Sequence, residues 1–349
     1  MTDVLVVSLG TTRGLRVADS AFAGQVRAAG ASVEVIAVRQ GALGRLRRVY
    51  PVNDLVEAAA ARRATASAVR RVRPRAVVFS SVTSAMMAPR LDVPYAVRLD
   101  SPASLNRPGP QNAVLHALER RALAGARLVL PWSRAALAAL PPGLPSVILP
   151  PPITPSGEHP FKRRRAAAAY VPDPKAKGLE LLIAAWSHAA AEDAELEVFG
   201  IEAERARGHL ARTATQEPEG VSWRGLTPPA EFREALRSSL VFASAARWED
   251  FGQAPLEALA DGALLATLPA GGAYEALALA RELAPELAPA DLTPEALAGA
   301  LEAAFAISAE RAADYRQRAA RALVAYNPAN LERTVADEVL PALLSERWP

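Results

Sequence analysis

The chain has 349 residues, enough for two domains that each bury a core; it has no Cys, which excludes disulfides, thiolate metal sites and Cys nucleophiles. The net charge of +3 conceals an asymmetry: residues 1–150 carry 20 Arg, no Lys and 8 acids (+12), and residues 151–349 carry 20 Lys or Arg and 29 acids (−9). The four His (His116, His159, His188, His209) show no metal-ligand spacing, and no leader or membrane-length apolar run is present, so a cytoplasmic protein working without a bound metal is expected.

The first half opens as a βαβ unit: a buried-type strand Val4–Val7, a turn Gly10-Thr11-Thr12-Arg13-Gly14, a helix Val17–Ala29 and a strand Val33–Val38. Gly10 and Gly14 are four apart, not in a G-x-G-x-x-G pattern, and with Arg13 they suit either a phosphate-facing loop or a plain tight turn. Three basic clusters follow, Arg45/Arg47/Arg48, Arg62/Arg63 and Arg70/Arg71/Arg73/Arg75. Val52–Val72 reads as an Ala-rich helix, either an ordinary surface helix or one that touches an anionic bilayer electrostatically, since its Ala face offers little to insert. Strands Ala76–Phe79 and Tyr95–Arg98 each run into a polar loop, and Asp100 ahead of Ser101-Pro102 suits a turn cap as well as a ligand-facing carboxylate. A helix Val114–Ala124, a strand Leu128–Leu130, a helix capped by Ser133 and a strand Val147–Leu149 lead to the stiff run Pro150–Gly157. The domain boundary is expected there, giving 1–155 and 156–327, with 328–349 crossing back onto the first domain.

The second half restarts with a strand Ala166–Val171, a loop Pro172–Gly178 holding Lys175 and Lys177, and a helix Leu179–Ala191. Strands Leu196–Phe199 and Val221–Gly225 and a helix Glu231–Arg237 precede the most informative stretch. There the apolar run Leu240–Ala243 enters a loop Ala246–Gly252, then an Ala/Leu helix that stops at Gly262. Glu249 lies in the loop at the strand's C-terminal end, where open α/β sheets bind ligands, and Glu257 lies in the first turns of the helix. Gly252 permits close backbone approach, and the helix N-terminus beside it offers N–H groups to a phosphate. A buried strand Leu264–Leu268, a Gly271-Gly272 turn and Ala-rich helices from Pro294 to Val324 follow.

This stretch resembles the Glu-x7-Glu signature of retaining GT-B glycosyltransferases, family 4 and its relatives in glycosyl transferases group 1, usually E-x-F-G-x-x-x-x-E-A-x-A-x-G. Glu249, Phe251, Gly252, Glu257, Ala258, Ala260 and Gly262 all fit. The resemblance implies an α/β chain of two Rossmann-like doubly wound domains facing across a cleft, the donor on the C-terminal one and the acceptor side on the other. It implies sugar transfer from a nucleotide-diphosphate donor such as a UDP- or GDP-sugar to a lipid, glycan or small-molecule hydroxyl, with retention. No cofactor is implied. By the same resemblance Glu249 contacts the donor sugar, Glu257 the ribose, and Phe251 and Gly252 lie at the donor. Gly10, Arg13 and Gly14 take the place of the loop near the diphosphate, and Asp100 helps orient the acceptor or accept its proton. Relatives pair an Arg on the strand end with the loop Lys; here Tyr170 or Val171 stands in its place, so Lys175 joins Lys177 as the second cation. Relatives also carry a His near Asp100, which this chain lacks.

The alternative is a non-catalytic GT-B protein that binds a sugar-nucleotide or glycan, or an inactive partner of a transferase. The basic half admits peripheral contact with the inner face of an anionic membrane. Nucleic acid is not expected as a partner, because no aromatics are interleaved with the basic residues.

Overall fold

The computed structural model describes residues 2–39, 52–158, 163–189 and 193–345. The chain forms two compact units, Met1–Pro152 with Tyr326–Pro349, and Ile153–Ala325. In the first, β1 (Val4–Ser8), β2 (Val33–Ala37), β3 (Ala76–Phe79), β4 (Tyr95–Leu99) and β5 (Leu128–Pro131) alternate with α1 (Arg13–Ala28), α2 (Val52–Val72), α3 (Val82–Ala85), α4 (Ala103–Asn106), α5 (Ala113–Ala124) and α6 (Arg134–Ala138). The strands pair in parallel in the order β2-β1-β3-β4-β5. A parallel sheet is covered on both faces, which is why Val4–Val7 and Ala76–Phe79 are apolar without alternation and wholly buried.

The structure departs from the expected elements at two places. The helix expected from Val17 begins at Arg13, because the Leu15 N–H donates to Thr12 Oγ1 at 3.2 Å and makes Thr12 the cap. Arg13 and Gly14 are therefore the first helical residues, not part of the turn. Val147–Leu149 is not a ladder strand: the Val147 and Leu149 N–H groups donate to Val129 and Pro131 carbonyls at 3.0 and 2.9 Å, but this segment contributes a single isolated bridge, between Val129 and Ser146, and no ladder among the described residues. Pro150, Pro151 and Pro152 have no N–H to carry the pairing on.

The Ala face of α2 is spent on the core, with Ala58, Ala60, Ala61 and Ala68 packed among Leu5, Val7, Val77 and Phe79. Its arginines lie outward, and Arg71 pairs with Glu34 (2.7 Å), while Arg75, just beyond the helix, pairs with Asp3 (3.1 Å). Arg45, Arg47 and Arg48 lie outside the described residues. No helix among the described residues is long and apolar enough to cross a membrane.

The second unit repeats the plan with β6 (Arg164–Tyr170), α7 (Leu179–His188), β7 (Glu195–Phe199), α8 (Ala203–Arg212), β8 (Val221–Gly225), α9 (Pro229–Ser238), β9 (Ser239–Ser244), α10 (Gln253–Ala260), β10 (Leu264–Thr267), α11 (Glu275–Leu283), α12 (Pro294–Phe305) and α13 (Ala309–Ala322). Its strands are parallel in the order β10-β9-β6-β7-β8. Chain order reverses between β6 and β9, so the loops that leave these two strands diverge and open a crevice at their carboxyl ends. The chain then ends on α14 (Pro328–Thr334), a π-helical turn Val335–Val339 and α15 (Leu340–Leu344). Leu331, Val335, Val339 and Leu343 from this segment pack with Val4, Val6, Phe22 and Val26, covering the face of the first sheet opposite α2.

Candidate active site

The loop after β6 folds on itself before α7 starts. Asp173 Oδ1 accepts from the Lys175 and Ala176 N–H groups (3.0 and 2.8 Å), and the Asp173 carbonyl accepts from the Lys177 N–H (2.9 Å). Gly178 follows at φ +61°, where a Cβ would lie 2.1 Å from the Ala245 carbonyl oxygen, so the lysine loop lies directly on the end of β9. The Ala176 carbonyl accepts from the Arg247 and Trp248 N–H groups (2.9 and 3.3 Å), joining the two loops across the switch point.

The loop after β9 is held from its other side by the Gly271-Gly272 turn. Trp248 bridges Gly271, the Glu249 N–H donates to the Gly271 carbonyl (2.9 Å), and the Gly271 N–H donates to the Arg247 carbonyl (3.0 Å). A Cβ on Gly272 would lie 2.3 Å from the Glu249 carbonyl oxygen, at φ +96°. The backbone of Glu249 is thus fixed between two loops, and its side chain meets Lys177, Oε1 to Nζ at 2.7 Å. Burial pushes the Glu249 carboxyl above the usual range, Lys177 opposes that, and Asp250 adds to it. Behind it Tyr274 is buried, its hydroxyl 2.8 Å from that of Thr267; burial, with Glu249 adding to it, raises its pKa.

Gly252 caps α10 at φ +85°, with the Tyr274 ring where a Cβ would be (2.6 Å), and Phe251 is buried. In the first turns of α10, Glu257 Oε1 accepts from Gln253 Nε2 (3.0 Å) and lies 3.9 Å from Arg233 Nη1. Lys175 is exposed. The second unit therefore brings Lys177, Glu249, Phe251 and Gly252 together, puts Lys175 on the same loop as Lys177, and puts Glu257 on the helix that Gly252 starts.

Three features here were not singled out as site residues in the sequence. Arg247 donates from Nε and Nη2 to Glu180 Oε1 in the first turn of α7 (3.1 and 2.7 Å), and His209 Nε2 lies 2.9 Å from Glu180 Oε2. Burial pushes the Glu180 carboxyl up, but the bonds from His209 and Arg247 outweigh it and hold the group below the usual value. The Gly271-Gly272 clamp and the Tyr274 ring behind Gly252 complete the set. Only the paired glycines left a signal in the sequence, and that signal indicated a turn rather than a clamp on Glu249.

In the first unit, the order reverses between β1 and β3. Gly10 follows β1 at φ +55°, and its carbonyl accepts from Arg16 Nη1 (2.7 Å). Arg13 and Gly14 open α1. Asp100 follows β4, and its Oδ1 accepts from the N–H of the next residue, Ser101 (2.8 Å). Beneath these loops Arg98 Nη1 meets Asp19 Oδ1 at 3.0 Å, both buried, and the Ser8 hydroxyl donates to Asp19. Among the described residues no group of three or more His, Cys, Asp or Glu could hold a metal.

Residues 167–322 match the family described as glycosyl transferases group 1. No curated protein matches the chain by sequence. The fold is similar to that of a sucrose-phosphate synthase from Thermosynechococcus elongatus, with a TM-score of 0.75 at 16% identity, over 96% of this chain and 97% of that one. It is similar to a glycosyltransferase from Rickettsia africae (TM-score 0.67, 15% identity, 99% of each chain). It is also similar to Anabaena HepE solved with UDP and glucose (TM-score 0.68, 14% identity, 97% of this chain and 99% of that one). Residues 167–322, which carry Lys175, Lys177, Glu249, Phe251, Gly252 and Glu257, thus form a glycosyl transferases group 1 domain in a chain of the GT-B fold.

Proposed function

We propose that the protein transfers a sugar from a nucleotide-diphosphate donor to an acceptor hydroxyl, with retained anomeric configuration and without a protein-bound metal. The observation that carries this reading is the Lys177–Glu249 pair at the switch point of the second sheet, one loop ahead of the α10 N-terminus. A leaving diphosphate and a developing positive charge at the anomeric carbon need opposite charges close together in a partly dry place, and this pair supplies them. Glu249 would face the sugar, and Lys177 and Lys175 would take the phosphates. Two lysines give the charge a diphosphate needs, as point charges without the fork of an arginine. Glu257 would accept from the ribose hydroxyls. On the first unit, the loop holding Gly10, with Arg13 and Gly14 at the head of α1, and Asp100 would serve the reacting groups and the acceptor.

The donor is expected to be a UDP-sugar or a GDP-sugar; Anabaena HepE, similar in fold, has been solved with UDP-glucose. The test is thermal shift and calorimetry with UDP, GDP and ADP and their sugar conjugates, with and without Mg²⁺. Metal-independent stabilisation by one of them, weakened at least tenfold by Glu257→Ala, supports the transferase and names its donor class. Absence of binding to all of them favours a non-catalytic role.

A further inference from the structure

One guanidinium in the second unit addresses three places at once. Arg233 on α9 donates from Nε to Asp261 Oδ2 (2.5 Å) and from Nη2 to the Thr154 carbonyl (2.7 Å), and its Nη1 lies 3.9 Å from Glu257 Oε1. Asp261, fully buried at the end of α10, is held from the same side by Ser156: its Oδ1 accepts from the Ser156 N–H (2.7 Å) and its Oδ2 from the Ser156 hydroxyl (3.0 Å). The Ser156 hydroxyl in turn accepts from Arg237 Nη1 (2.6 Å). Thr154 and Ser156 lie in the second unit, just past its boundary between Pro152 and Ile153. The planar fork of Arg233, with two of its nitrogens fixed by Asp261 and Thr154, can point the third only where the backbone puts it, toward Glu257.

From this geometry we infer that Arg233, acting beside Gln253, whose Nε2 donates to Glu257 Oε1 (3.0 Å), is a positioning residue for Glu257, and that the seating of Thr154 and Ser156 sets how well Glu257 receives the donor ribose. The inference rests on the donor-site reading above. A carboxylate with a cation fixed beside it keeps its orientation while unliganded, which lowers the ordering cost when two ribose hydroxyls arrive. Thr154 and Ser156 enter because they supply the carbonyl that fixes Nη2 and two of the donors that fix Asp261.

The experiment compares binding of UDP, GDP or ADP, whichever binds the wild-type chain, with binding of inorganic pyrophosphate, which has no ribose. Arg233→Met is expected to weaken the nucleotide about tenfold and leave pyrophosphate within about twofold. In a Glu257→Ala background the same change is expected to have no further effect, the signature of action through Glu257. Arg233→Lys keeps the charge without the fork and is expected to recover part of the loss. Ser156→Ala, which touches Asp261 and Arg237 rather than Glu257, is expected to shift nucleotide affinity in the same direction by a smaller factor. If Arg233→Met does not fold, Arg233→Lys and Ser156→Ala carry the comparison. Nucleotide affinity unchanged in the Arg233 variants while Glu257→Ala loses it overturns the inference and leaves the donor site standing; equal weakening of pyrophosphate also overturns it. A Glu257→Ala chain that binds nucleotide like the wild type, or a wild type that binds none, overturns both.

Discussion

At the residue scale one buried carboxylate, Glu249, stands at the centre of the candidate site. Glu249 is taken from water at a cost that raises its proton affinity, and Lys177 at 2.7 Å recovers part of that cost. Activity that needs Glu249 ionised falls as pH falls through its raised pKa, so the acid limb of the rate profile is expected above the ordinary glutamate value of 4.5. Lys177→Gln removes the opposing charge and moves that limb to higher pH, besides weakening the donor. Glu249→Gln is expected to abolish the limb and lower turnover roughly 100-fold or more, with nucleotide affinity little changed. A rate profile whose acid limb stays in place in both variants would show that another group controls it. The placement of Glu249 in the loop after β9 and of Glu257 in the first turns of α10 was legible because loop, Phe-Gly and helix stop are local signals. The partner of Glu249 was not: Lys177 reaches it because β6 and β9 are neighbours, and neither strand's sequence states its neighbour.

At the element scale, two devices hold loops in place where single side chains would not. Gly272 packs against the Glu249 carbonyl at positive φ, so Gly272→Ala adds both a left-handed strain and a clash. It is expected to destabilise the fold by about 2–4 kcal/mol in urea and to lower turnover beyond what the stability loss explains. In the first unit the Arg98–Asp19 pair joins β4 to α1, with the guanidinium over the Phe22 ring at 4.6 Å. Burial pushes the Asp19 carboxyl up, with Arg98 opposing, so the pair is stable only as a pair. Arg98→Met alone is expected to cost about 3–5 kcal/mol, and Arg98→Met with Asp19→Asn clearly less than the sum, which denaturant unfolding of the three variants checks. Element identity was legible wherever apolar runs were long. It was misread where a polar side chain decides, as at Thr12, which starts α1 at Arg13, four residues before Val17, and where proline ends pairing, as after Leu149. Strand β6 shows the opposite balance: Ala166–Ala169 are weak strand formers, yet a central place between β7 and β9 makes them strand.

At the scale of the whole molecule the chain is electrically lopsided, +12 over residues 1–150 and −9 over the rest. Composition made this plain, but not what the basic side can do. The structure narrows it: the small apolar face of α2 is buried on the sheet, and Arg62, Arg63, Arg70 and Arg73 are exposed. A helix whose apolar face is occupied cannot insert into a bilayer, so any attraction of α2 to an anionic surface is a matter of charge alone. Such attraction decays over a Debye length, about 8 Å at physiological salt and about 3 Å at 1 M. The chain is therefore expected to sediment with vesicles containing phosphatidylserine at low salt, to be released by raising salt towards 1 M, and to ignore neutral phosphatidylcholine vesicles. Replacing Arg62, Arg63 and Arg70 by Gln is expected to weaken the association roughly tenfold or more, each basic residue near such a surface being worth about 1 kcal/mol. Association that survives high salt would require an apolar contact that α2 cannot provide, and an unchanged affinity in the triple variant would place the contact elsewhere on the basic half.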